Sequence, residues 1–169
     1  MRTATGTVFS RMATLLERLL NGVLAVALAV MLFSMLYQVF GRYVLGHAPG
    51  WSEELARYLM VWLTMLGSAS VLRSGGHISV TTLTDRLGPR ALASVLAVRD
   101  AALVATSGVL AWWGVLFSEM NGVQESAAME IPMSIPYAAL PAGAVLIVLM
   151  VLLARLGGRP IPAAAGESF

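Results

Sequence analysis

The sequence has no cysteine and no lysine, only two histidines, and few charges of either sign: charged residues occupy 12% of its 169 positions. Each shortage excludes something. Without cysteine there is no disulfide, no thiolate metal site and no cysteine nucleophile. His47 and His77 alone leave little for metal binding or acid–base catalysis, and no cofactor is expected. A soluble domain carries about 25% charged residues, so this chain has roughly half the usual solvating surface and cannot cover itself in water. Its basic charge comes entirely from arginines, set singly at the ends of apolar runs. That placement suits snorkelling anchors at a membrane interface and argues against nucleic acid as a partner.

What is abundant is apolar matter: 58% of residues are hydrophobic and the mean hydropathy is +0.79. Charge-free runs occupy residues 19–41, 58–72, 101–118 and 131–154. A bilayer core needs about 20 apolar residues of helix to cross it. The first and last runs are long enough unaided; the middle two must borrow from charged flanks. The reading is an all-α, multi-pass membrane protein with membrane lipid as its solvent and four transmembrane helices, at about 15–41, 53–73, 90–120 and 137–155. These form one transmembrane domain over residues 1–157, followed by a disordered tail at 158–169. Arg2, Arg11 and Arg18 precede the first run as in a signal peptide, but the run far exceeds an h-region of roughly 7–15 residues. It is expected to be a retained span.

Local signals mark the connections. Gly46 to Gly50 is a turn segment, and Ser52 is a good N-cap type with Glu53 and Glu54 in the following first turn, where carboxylates favour the helix dipole. Ser74-Gly75-Gly76 ends that helix. The connector at 77–89 is polar, and its 78–83 portion is expected to lie along the cytoplasmic surface as an amphipathic segment. Pro89 suits the first position of a third helix. That helix exceeds what the membrane needs and must tilt or protrude. Pro132 and Pro136 predict an extended approach to the fourth span. Arginines concentrate in the N-terminal segment, the middle connector and the tail, which predicts both termini in the cytoplasm.

Few residues carry chemistry. In the stretch WSEELAR at 51–57, Arg57 lies four residues from Glu53 and three from Glu54, so it can reach either acid on one helix face. Two readings stay open for this turn: an interfacial ion pair, or ionisable groups drawn to membrane depth as a proton or cation site or to dock a partner. Trp51 is placed at headgroup level, and Arg42, Trp112, Trp113 and Tyr137 are expected as further interfacial anchors. Arg73 and His77 lie at the opposite mouth of the second span. A haem ligated by His47 and His77 is excluded within one chain, because the helix between them separates them by about 30 Å. Adjacent residues on a helix do not face each other, so Arg99 and Asp100 are expected to be solvated separately. No phosphate-binding glycine loop, HExxH or serine–histidine–acid spacing is present, so the chain does not read as an enzyme.

The order of these features resembles the small integral-membrane subunit of tripartite ATP-independent periplasmic (TRAP) transporters, the DctQ-like family. The matching blocks are QVFGRYVL at 38–45, WSEELARYLMVW at 51–62, LGSASVLRSGGHISV at 66–80 and IPMSIPYAALPAG at 131–143. The resemblance implies a bacterial inner-membrane protein that forms a heterodimer with a large permease and meets a periplasmic substrate-binding protein transiently. The large permease would move an organic acid by an elevator-like motion driven by a sodium gradient, with the small subunit as scaffold. The length and the stop after the fourth span predict a separate subunit, not the fused form. In this reading Trp51, Glu53, Glu54 and Arg57 stabilise the periplasmic side of the scaffold, Arg73 and His77 the cytoplasmic side, and Pro132 and Pro136 fall in a matching block. The alternative is an independent ion channel or proton-coupled carrier using Glu53 or Glu54.

Overall fold

The computed structural model describes residues 4–47, 49–74 and 89–156. The expected amphipathic segment at 78–83 and the tail at 158–169 lie outside the described residues. Among the described residues five helices follow one another: α1 (Ala4–Tyr43), α2 (Gly50–Ser74), α3 (Pro89–Met120), the single-turn α4 (Ser134–Tyr137) and α5 (Ala139–Leu156). Among the described residues, four stretches are long and apolar enough to cross a membrane: Arg11–Tyr43, Gly50–Leu72, Ala91–Met120 and Ser134–Leu156. The all-α, four-span architecture is therefore as the hydropathy pattern requires.

Several details differ from expectation. α1 starts well before Leu15, since no proline interrupts residues 4–14 and its backbone hydrogen bonds simply continue. At 40 residues and about 1.5 Å per residue it is about 60 Å long, twice a bilayer's hydrocarbon core, so it must tilt or protrude. α2 starts at Gly50, two residues before its expected cap, and Ser52 sits inside the first turn with Oγ donating back to the Pro49 carbonyl at 2.7 Å. The fourth span is not approached by extended chain. Ser134–Tyr137 is already helical and leads into α5, with Pro136 buried in that turn. A proline within the first turn lacks an N–H that no helix bond requires.

α5 is the central helix: it packs against α1, α2 and α3, while α1 lies along α2 on one flank and α3 takes the other. Lipid tails are as apolar as leucine, so close packing and polar contacts must hold such helices together. Two glycines set how closely they approach. A Cβ on Gly143 of α5 would stand 2.7 Å from Met65 Cβ and 3.0 Å from the Met65 carbonyl oxygen of α2. A Cβ on Gly114 of α3 would stand 2.8 Å from Pro141 Cδ on α5. Toward the other end, Leu20, Leu72, Met150 and Val151 form a buried cluster joining α1, α2 and α5. The surface left over is apolar; Phe33 and Leu36 on α1 are 70% and 69% exposed, and Trp112 and Trp113 on α3 are 68% and 65% exposed. Patches this extensive fit lipid or another membrane protein rather than water.

Candidate functional site: the polar contacts at the two ends of the bundle

At one end, the start of α2 meets the folded connector between α3 and α4. Residues 121–133 form a tight hairpin: the Ser126 amide donates to the Ile131 carbonyl at 2.9 Å, and the Met133 amide to the Gln124 carbonyl at 2.8 Å. Glu125 and Pro132 form the antiparallel bridge between its arms. Its tip turns through Glu130, whose φ of 53° lies in the left-handed region that non-glycine residues rarely enter. Buried Ser126 closes the turn from inside, with Oγ accepting from the Ile131 amide at 3.3 Å.

Glu54 fastens this hairpin to α2. Its Oε2 accepts the consecutive backbone amides of Ala128 at 3.0 Å and Met129 at 2.9 Å. Its Oε1 accepts the Tyr58 hydroxyl at 2.5 Å. That hydroxyl also stands 3.3 Å from Met133 Sδ, but its single proton is committed to the nearer carboxylate. A carboxylate facing two successive amides is a strong arrangement, since bonds to an ionised acceptor are worth about twice neutral ones. Both oxygens of Glu54 are thereby occupied.

Of the two acids that Arg57 can reach, the fold uses Glu53, at 3.1 Å, and both side chains are well exposed. Trp51 stacks on Tyr37 of α1 with ring centroids 6.0 Å apart and planes inclined by 27°. Tyr137 meets Phe117 edge-on at 4.7 Å. Arg42 closes the last turn of α1. The end is tied further by Ser34, whose Oγ donates to the Ser52 carbonyl at 3.0 Å, and by Ser118, whose Oγ donates to the Ser134 carbonyl at 2.9 Å.

The opposite end has its own polar contacts. Asp100 on α3 is buried, and its Oδ1 accepts a bidentate pair from Arg99 Nε and Nη2 at 3.0 and 2.8 Å. Its Oδ2 accepts Arg155 Nε of α5 at 2.7 Å. The expectation that Arg99 and Asp100 are solvated apart is therefore wrong. Their Cβ atoms diverge, but the long arginine stem wraps around the helix and lays its fork on the carboxylate. Nearby, the buried Ser70 of α2 donates to Asn21 Oδ1 of α1 at 2.5 Å. His77 lies outside the described residues, as does the side chain of Arg73.

Sequence reasoning placed Glu54 but not its partners. Backbone amides leave no mark in a sequence, so Ala128 and Met129 carried no signal. Tyr58, four residues after Glu54, was findable by helical spacing. Asn21 was also findable, as the one amide inside the first apolar run's opening turn.

Comparison with known proteins points one way. A family model described as the DctQ component of tripartite ATP-independent periplasmic transporters matches residues 31–158. The sialic acid TRAP transporter small permease SiaQ of Vibrio cholerae is 27% identical over 121 residues, 72% of this chain and 70% of that protein. The C4-dicarboxylate TRAP transporter small permease DctQ of Rhodobacter capsulatus is 31% identical over 96 residues, 55% of this chain and 42% of that protein. The isethionate TRAP transporter permease DctMQ of Oleidesulfovibrio alaskensis is 27% identical over 127 residues, 73% of this chain but only 20% of that much longer protein.

Proposed function

We propose a scaffolding function for this chain, which belongs to the DctQ component family of tripartite ATP-independent periplasmic transporters and is a small permease subunit of the inner membrane. In this reading it holds the immobile part of a large permease that carries out sodium-coupled uptake of an organic acid. The observation that carries the proposal is how the bundle uses its polar groups. Glu54 has both oxygens occupied by Tyr58 and the connector amides, and Asp100 is engaged by two arginines. These groups fasten helices and loops to one another, and a large apolar surface is left facing outward. A translocation path needs ionisable groups that face a cavity. The fusion of a matching segment into the much longer isethionate permease supports a partnership with a large permease.

In this reading both termini lie in the cytoplasm, which is supported by Arg11, Arg18, Arg99 and Arg155 sharing one end of the bundle while Arg42 and Arg57 mark the other. The hairpin fastened by Glu54 then faces the periplasm, where a substrate-binding protein would dock. The rival reading, an independent channel or carrier centred on Glu53 or Glu54, requires an acid open to water at membrane depth. Glu54 is committed to the hairpin, and Glu53 stands on the surface of the first turn of α2, paired with Arg57 and lining no cavity among those found in the described residues. Reconstitution separates the two readings. The chain alone in liposomes should pass no solute, and uptake should appear only with a large permease and a binding protein. Flux through the chain alone would overturn the scaffold.

A further inference from the structure

The outward face of α1 carries an open groove lined by Arg18, Gly22, Val23, Val26 and Val30 of α1 and by Leu59 of α2. Residues 18, 22, 26 and 30 recur every four positions and so lie on one ridge of the helix. Gly22 makes the dent: a Cβ built there meets no heavy atom within 4 Å. Apart from Arg18, the lining residues are apolar.

The charge at its end is the informative part. Arg57, Arg99 and Arg155 are each spent on a carboxylate, whereas Arg18 has no ion-pair partner among the described residues. Arg11 lies two turns earlier on the same face, about 10 Å away along the axis, and is also exposed. A cation heading an apolar trough complements an amphiphile with an anionic head and a hydrocarbon tail. The length agrees. The twelve helical steps from Arg18 to Val30 rise about 18 Å, close to one leaflet of a hydrocarbon core about 30 Å thick.

We propose that this groove holds an anionic phospholipid, with its phosphate against Arg18 and an acyl chain laid over Gly22 to Val30. A guanidinium fork matches phosphate oxygens geometrically as well as electrically. The lipid thereby fills the concavity between α1 and α2 and satisfies a cation that has no ion-pair partner among the described residues. This assignment needs only the membrane location of the chain and does not depend on the scaffold reading.

Native mass spectrometry of the full chain in mild detergent tests it, with phosphatidylglycerol and phosphatidylcholine of identical acyl chains as probes. The wild type should retain phosphatidylglycerol about fivefold better, the preference one arginine near an anionic headgroup gives. Arg18→Gln should bring the two lipids toward parity. Gly22→Leu, whose side chain enters open groove space, should lower binding of both at unchanged helix content. If that variant loses helix content, Ala27→Leu, which fills the same groove, takes its place. Equal retention of the two lipids by the wild type overturns the proposal, as does undiminished phosphatidylglycerol preference in Arg18→Gln. So does efficient cross-linking of Val26→Cys to a large permease in the assembled complex, because that face would then be a protein interface.

Discussion

Asp100 of α3 and Arg155 of α5 are joined by a 2.7 Å hydrogen bond between side chains fifty-five positions apart in the chain. The Asp100 side chain is only 9% exposed, and Arg99 takes its other oxygen. The arrangement is asymmetric: one buried acid serves two more exposed bases. Asp100→Asn should therefore destabilise the bundle more than Arg99→Gln, because it leaves two guanidiniums side by side without their shared negative charge and turns one of its two acceptor oxygens into an NH2 donor. We expect a loss of about 2 kcal/mol for Asp100→Asn and less than half of that for Arg99→Gln, read from thermal unfolding in detergent. A double-mutant cycle between positions 100 and 155 should give a favourable coupling, and additivity of the two changes would show that the contact contributes nothing.

The Glu54 contact makes a more local prediction. Glu54→Gln keeps the shape but replaces an ionised acceptor of three hydrogen bonds with a neutral amide. Loss of about 2 kcal/mol there would raise opening of the 121–133 hairpin about thirtyfold. Hydrogen exchange at Ala128 and Met129 should report it, while amides in the middle of α3 and α5 stay protected. Unchanged exchange at the hairpin would mean that its own turn bonds suffice.

Much of this architecture was legible because it rests on hydropathy. Runs of charge-free sequence must cross the bilayer as helices, since no other open structure satisfies the backbone there. The polar contacts were harder to read. Asp100 looked like a surface residue of a protruding helix because its partner, Arg155, lies on a different span, and periodicity within one helix carries no information about its neighbour. The connector before the fourth span shows only its prolines to a sequence reading, which predict extended chain, whereas the hairpin at 121–133 is fixed by backbone bonds around Ser126. Ser52 was assigned a role by residue type, but its hydroxyl points back to Pro49.

Gly143 and Gly108 offer a controlled comparison of helix approach. A methyl on Gly143 would stand against the Met65 backbone, which cannot move aside, whereas one on Gly108 meets nothing within 4 Å. Gly143→Ala should cost about 1–3 kcal/mol by forcing α2 and α5 apart. Gly108→Ala should be neutral or slightly stabilising, as alanine is the better helix former. The midpoint of thermal unfolding measures both, and equal values would show that the α2–α5 approach is not set by Gly143.

The absence of cysteine allows the orientation to be tested one residue at a time. Gln124→Cys in the exposed hairpin should react with a membrane-impermeant maleimide in intact cells, and Arg11→Cys should react only after the membrane is opened. The reverse pattern would place the hairpin in the cytoplasm and remove it from any encounter with a periplasmic partner.

Glu53 and Arg57 separate stability from assembly. Their 3.1 Å contact is fully on the surface, with side chains 63% and 66% exposed, and exposed pairs contribute about 0–1 kcal/mol. Neither Glu53→Gln nor Arg57→Gln should shift unfolding of the isolated chain by more than that. If this face meets a partner, both variants should nonetheless reduce co-purification with the large permease or lower uptake, because a charge that is cheap in water becomes costly to leave unpaired once an interface covers it. Wild-type assembly and uptake in both variants, at equal expression, would leave the pair as a solvated feature of the helix start and move the search for the docking face to the apolar flanks of α1 and α3.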